Sequence, residues 1–137
     1  MNPIFSFPVR VYYEDTDSGG VVYYANYLKF MERARTEWLR ALGFEQDELL
    51  ACHGVIFAVR SVELDFLKPA RFNDVLQVTV TIGRRGGASV IVHQRVQRQD
   101  LVLCEGEVKL VCLAADSFTP CALPDAIAAR LTVGEVA

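Results

Sequence analysis

The chain has 137 residues, 52% of them hydrophobic and 23% charged, with a formal net charge of -3. A single domain of this size buries about two-thirds of the surface its unfolded chain exposes, and the composition is that of a globular protein, neither disordered nor fibrous. The slight acidity excludes the broad basic footprint of a nucleic-acid binder, so no nucleic-acid partner is expected and an anionic ligand has to be met by a local cluster of cations.

The opening "MNPIFSFPVRVYYED" lacks the cationic start and apolar stretch of a signal peptide, and no run approaches the ~18 apolar residues of a membrane span, so a cytoplasmic protein is expected. Alternation of Val9, Val11 and Tyr13 against Arg10 and Tyr12 predicts a short first strand. Beyond Asn26 the period changes. Tyr27, Phe30, Met31, Ala34, Trp38 and Leu42 recur at helical spacing, Lys29, Glu32, Arg33, Arg35, Glu37 and Arg40 fill the other face, and Gly43 follows, which predicts a helix from near Asn26 to Leu42. "FEQDELLACHG" has room for a short second helix.

The remainder reads as strands: "VIFAVRSVELDFL", "VLQVTVTIGRR", "ASVIVHQRVQRQ" and "LVLCEGEVKLVCLA", separated by the turns "KPARFND", "RRGGA" and "RQD". Connections between the last three are too short for helical crossovers, so an antiparallel meander follows. "LPDAIAARL" predicts a short final helix with Pro124 in its first turn. The expected architecture is one α+β domain over 1–137, with about five antiparallel strands wrapped around one long helix.

Four cysteines, Cys52, Cys104, Cys112 and Cys121, form no CxxC or His-rich spacing, so neither a zinc site nor a redox motif is indicated and they read as small buried hydrophobes. His53 and His93, the two imidazoles, read as structural or exposed.

Chemistry concentrates in "YEDTDSGGVVYYAN", Tyr13 to Asn26. Glu14, Asp15 and Asp17 crowd three like charges together, so only one is expected to point inward. Gly19 and Gly20 allow positive φ and close approach of a ligand to the backbone. The segment then leads into a helix whose first N–H groups carry partial positive charge and have no intrahelical partner. A carboxylate beside such an N-terminus supplies a nucleophile or base and an oxyanion site, as acyl transfer requires. An ordinary acidic turn with core tyrosines is the alternative on the residues alone.

The stretch "YEDTDSGGVVYYANYLKFMERARTEWL" resembles the 4-hydroxybenzoyl-CoA thioesterase family of hotdog-fold proteins, and within it the Tol-Pal-associated acyl-CoA thioesterases of Gram-negative bacteria. "PVRVYYEDTD", "PARFNDVL", "RRGGAS" and "ALP" extend the similarity over most of the chain. The resemblance implies a hotdog fold in which subunits pair edge to edge as homodimers or homotetramers, with sites between subunits. It implies hydrolysis of a short-chain or aromatic acyl-CoA to free acid and CoA, with no metal or redox cofactor. Asp17 falls where the family's aspartate attacks the thioester or activates water, and the backbone N–H near Tyr24 falls where the carbonyl is polarised. The Tol-Pal branch commonly carries His at the Tyr24 position, whereas hydroxybenzoyl-type members can carry Tyr there; the exchange preserves a backbone donor and removes any imidazole. No histidine stands in the motif, which disfavours a dehydratase.

Gly19, Gly20, Val22, Tyr23, Arg84 and Arg85 complete the candidate substrate-contacting set. The two arginines sit where the family places cations near the CoA phosphates, which suit a guanidinium fork; Lys68 and Arg71 are weaker candidates. The rival reading is a non-catalytic or weakly catalytic hotdog protein that binds acyl carrier protein or phospholipid-synthesis enzymes.

Overall fold

A computed structural model describes residues 4–131. Five strands, β1 (Phe5–Arg10), β2 (Val55–Phe66), β3 (Val75–Arg85), β4 (Ser89–Arg98) and β5 (Leu101–Ala114), form one antiparallel sheet in the order β1-β3-β4-β5-β2. Strands β3, β4 and β5 are the expected meander, and β1 and β2 are its edges. Among the described residues no helix is long and apolar enough to cross a membrane.

The long helix, α1 (Tyr24–Ala41), begins two residues earlier than the periodicity suggests and packs chiefly over β1, β3 and β4. Phe30, Met31 and Ala34 on its inner face are fully buried against Leu76, Val78, Val90 and Val92 of the sheet. Each side chain of Val or Phe size stabilises the fold by about 1.5–3 kcal/mol through such burial. Its C-terminus closes as the sequence predicts: Gly43 takes φ 98°, its N–H donates to Arg40 O at 3.0 Å, and the Phe44 N–H donates to Leu39 O at 2.9 Å. This paired closure satisfies carbonyls that the helix end would otherwise strand.

A polar pair, Gln94 and Arg35, stands inside this core. Gln94 on β4 is fully buried; its Oε1 accepts from the Arg35 guanidinium at 2.9 Å and its Nε2 donates to Met31 O at 3.1 Å. Burial holds the Arg35 pKa below its ordinary value, partly offset by the charge of Glu32.

Several local expectations are corrected. Strand β1 ends at Arg10 instead of running on to Tyr13, because the backbone turns at Tyr12 to meet Asp15. The segment after Gly43 holds a single helical turn, α2 (Gln46–Glu48), widening into a π-helical turn over Leu49–His53. Pro124 is the N-cap of the last helix, α3 (Asp125–Arg130), and not part of its first turn. Cys104 and Cys112 are buried as expected, but Cys121 is half-buried and Cys52 is exposed.

The helix does not cover the sheet fully. Phe57, Val59, Val62, Leu64 and Phe66 of β2 face the same side as their buried partners Cys112, Leu110, Val108 and Cys104 on β5, yet Val59, Val62 and Phe66 are 48%, 41% and 51% exposed.

Candidate active site

The chain leaves β1 and enters a short 3-10 turn, Tyr13–Asp15. One of the three clustered carboxylates is inward, as expected, and it is Asp15. Its Oδ2 accepts the Tyr12 N–H at 2.8 Å, its Oδ1 accepts Asn26 Nδ2 at 2.9 Å, and its backbone oxygen accepts the Tyr23 N–H at 2.9 Å. Two donors on a buried carboxylate offset its loss of water. Asp15 therefore ties the loop to the start of α1. Neither Asp15 nor Asn26 was singled out from the sequence as a site residue; the signal available was an acid two positions before Asp17 and an asparagine in the first helical turn.

Asp17 is exposed and opens a tight hairpin. Its N–H donates to Val21 O at 2.9 Å, and the Gly20 N–H donates to Asp17 O at 3.0 Å. Gly20 takes φ 79°, the left-handed residue that a three-residue loop of this kind uses. The Gly19 N–H donates to Asp17 Oδ1 at 2.8 Å, and a Cβ on Gly19 would stand 3.2 Å from that oxygen. One carboxylate oxygen is thus oriented by the turn, and Oδ2 makes no hydrogen bond among the described residues.

A bridge between Thr16 and Val22 closes the hairpin two residues before α1. Val22 is buried, its side chain in the core, so only its backbone borders the site. Tyr23 is the N-cap and contributes no side-chain cap, and Tyr24 is the first helical residue. The Tyr24 N–H finds no acceptor among the described residues, leaving a free donor at the positive end of the helix dipole.

Aromatic rings wall this end of the helix. Ring centroids lie 4.8 Å apart for Tyr23 and Tyr24, 6.1 Å for Tyr24 and Phe66, and 5.6 Å for Tyr27 and Phe66. The Tyr27 hydroxyl accepts the Ala70 N–H at 3.0 Å, and burial raises its pKa. The Tyr24 side chain, as hydrogen-bond partner and then as neighbouring charge, raises that of Tyr23.

Within one protomer the structure does not bring Arg84 and Arg85 to this hairpin. Arg10, at the hairpin end, pairs with Val75, and Arg84 lies nine residues further along β3, roughly 30 Å at ~3.3 Å per residue. Arg71 does lie beside the hairpin, bridged to Val21, while Lys68 is exposed on the approach to it. His53 is exposed, and His93 is half-buried on the opposite face of the sheet, 3.9 Å from Glu105.

A long helix wrapped by a five-stranded antiparallel sheet is the hotdog arrangement, and here the helix N-terminus with its free donor follows directly on a carboxylate held on a glycine hairpin. Residues 19–105 match the family described as the thioesterase superfamily, and the chain belongs to that family. It is 45% identical over 125 residues to a protein of Haemophilus influenzae named acyl-CoA thioesterase YbgC, covering 91% of this chain and 92% of that one. It is 46% identical over 128 residues to the acyl-CoA thioester hydrolase YbgC of Escherichia coli O6:H1, covering 93% and 95% respectively. Among solved structures, a probable thioesterase from Bartonella henselae superposes with a TM-score of 0.85 at 34% identity, covering 89% of this chain and all of that one.

Proposed function

We propose that the protein hydrolyses acyl-CoA thioesters to a free acid and CoA, acting as a single thioesterase domain. The observation that carries this reading is the placement of the Asp17 carboxylate and the free Tyr24 N–H on one short hairpin-to-helix segment. The thioester carbonyl oxygen accepts from the Tyr24 N–H, and the helix dipole stabilises the charge that develops there. Asp17 Oδ2 either attacks the carbonyl carbon, expelling CoA thiolate and leaving an anhydride for water to open, or takes a proton from a water that attacks in its place. Tyr23, Tyr24 and Phe66 form an apolar wall suited to a short or aromatic acyl group.

The working unit in this reading is a dimer built across β2. That strand is a twelve-residue exposed edge with an apolar, half-covered inner face, a liability that pairing removes. Antiparallel pairing with a second copy extends the sheet and gives the inner face of β2 a second helix to pack against. The two-fold axis exchanges the ends of the sheet. The partner's Arg84 and Arg85, distant within one protomer, then come to the end that carries Asp17 and Tyr24, where they meet the CoA phosphates.

The test is thiol release from aliphatic and aromatic acyl-CoAs and from the same acyl groups on pantetheine and on acyl carrier protein. Turnover on acyl-CoA that exceeds both other carriers supports the reading. Turnover on acyl carrier protein alone would reassign the carrier. Tight binding of that protein without turnover of any thioester would replace the enzyme with an interaction module.

A further inference from the structure

Away from this site, Cys112 Sγ lies 3.7 Å from Cys121 Sγ. After β5 the chain turns and runs back antiparallel. The Ala114 N–H donates to Thr119 O at 2.9 Å, Leu113 bridges Pro120, and the Cys121 N–H donates to Cys112 O at 2.9 Å. Cys112 and Cys121 are therefore direct cross-strand neighbours with both sulfurs on one side. Directly opposed residues of antiparallel strands have Cα atoms ~4.5–5.5 Å apart, inside the range a disulfide spans.

The segment they join braces the arginine turn. The Leu123 N–H donates to Gly87 O at 2.9 Å and the Cys112 N–H to Ala88 O at 2.8 Å, so the residues that follow Arg84 and Arg85 hang on both sides of the thiol pair. Leu123, Ile127 and Leu131 then anchor the segment in the core.

We propose that Cys112 and Cys121 form a dithiol oxidation site, which a peroxide converts to a disulfide that fastens the returning segment to β5 and stiffens the β3–β4 turn. Cys121, half-buried, is the sulfur that peroxide reaches, whereas Cys112 is fully buried. The Cys121 thiol gives up its proton and the sulfur takes one oxygen of hydrogen peroxide; the O–O bond breaks, the leaving hydroxide picks up that proton, and a sulfenic acid and water result. Cys112 sulfur then attacks the sulfenic sulfur, the S–S bond forms as the S–O bond breaks, and the hydroxyl leaves with the Cys112 proton as a second water. Two thiols and one peroxide give one disulfide and two waters. Burial, then the neighbouring Cys121 as hydrogen-bond partner and as charge, pushes the Cys112 thiol up to about 12, which fits a resolving role and not that of first reactant.

The experiment uses the full chain carrying Cys52→Ser, which removes the exposed thiol. Reduced protein is titrated with hydrogen peroxide, digested without reductant and mapped by mass spectrometry, with urea midpoint and KM measured in parallel. The expected result is a Cys112–Cys121 linked peptide, a raised urea midpoint reversed by dithiothreitol, and neither change in Cys121→Ser or, independently, Cys112→Ala. Persistence of both free thiols, or passage of Cys121 to sulfinic acid without linkage, would overturn the site. The expected several-fold shift of KM for acyl-CoA, with none for an acyl-pantetheine, rests on the phosphate role of Arg84 and Arg85. A linked and stabilised protein with unchanged KM would overturn that role and leave the oxidation site established.

Discussion

Asn26, in the first turn of α1, donates its side-chain amide to the Asp15 carboxylate at 2.9 Å, and both residues are buried. Asp15 also holds the Tyr12 and Tyr23 N–H groups, so this one residue fixes the loop on one side and the helix N-terminus on the other. In the proposed mechanism Asp15 and Asn26 are positioning residues that hold the segment carrying the Tyr24 N–H. Asn26→Ala leaves a buried carboxylate oxygen short of a donor, at a cost of about 1–3 kcal/mol. We expect a lower urea midpoint together with a fall in kcat that exceeds the change in KM. A destabilised variant with wild-type kcat below its melting range would show that the contact only holds the fold.

Tyr24 separates side chain from backbone. Tyr24→Phe keeps the N–H and should hold kcat within about tenfold, short of the ~10²-fold or greater loss seen on removing an oxyanion donor. Tyr24→Pro removes the N–H at the first helical position, where proline is tolerated, and the preceding Tyr23 already has the extended ψ of 132° that proline favours. The proline variant should stay folded and dimeric by circular dichroism and size exclusion while losing turnover. Retained activity in that folded dimer would move the oxyanion site elsewhere.

The arginine turn is tested by mixed dimers. One subunit carries Asp17→Asn, the other Arg84→Ala with Arg85→Ala. When the turn serves the opposite subunit, the surviving site combines an intact Asp17 with intact arginines, so the heterodimer shows about half the wild-type kcat at wild-type KM. When the turn serves its own subunit, the only active Asp17 lacks arginines and KM rises several-fold.

The fold was legible where period and punctuation agree: the inner-face stripe of α1, the glycine closing it at Gly43, and the three meander strands with their short turns. It was less legible where a side chain reaches back to the backbone. Alternation through Tyr13 suggests that β1 continues, but the Asp15 carboxylate captures the Tyr12 N–H and ends it. The start of α1 was placed two residues late because Tyr23 supplies no side-chain cap and nothing in its residue type marks the boundary. Within the candidate site, the glycine turn beside Asp17 could be read from local order, whereas the helix start near Tyr24 followed from the family resemblance and not from the periodicity. The separation of Arg84 from Asp17 could not, because it depends on strand order across the sheet.

The buried Gln94 gives a stability prediction independent of catalysis. Gln94→Leu strands the Arg35 guanidinium, whereas the Met31 carbonyl keeps its place in the helix ladder, and should cost about 1–3 kcal/mol. Pairing it with Arg35→Met removes the stranded charge and should recover part of the loss, since replacing both partners is cheaper than removing one. Urea midpoints for the two single variants and the double variant measure this; strictly additive losses would show that the pair is not coupled.

The central claim is that the Asp17 carboxylate performs the chemistry, and Asp17→Asn tests it most directly. The substitution keeps the volume and the acceptor oxygen that takes the Gly19 N–H, so the hairpin and the dimer should survive, while the nucleophile or base is removed. Steady-state hydrolysis of the best acyl-CoA found in the carrier comparison, measured on protein shown by circular dichroism and size exclusion to be folded and dimeric, should show kcat lowered at least ~10²-fold with KM nearly unchanged. A folded, dimeric Asp17→Asn protein that turns over at close to the wild-type rate would contradict the account.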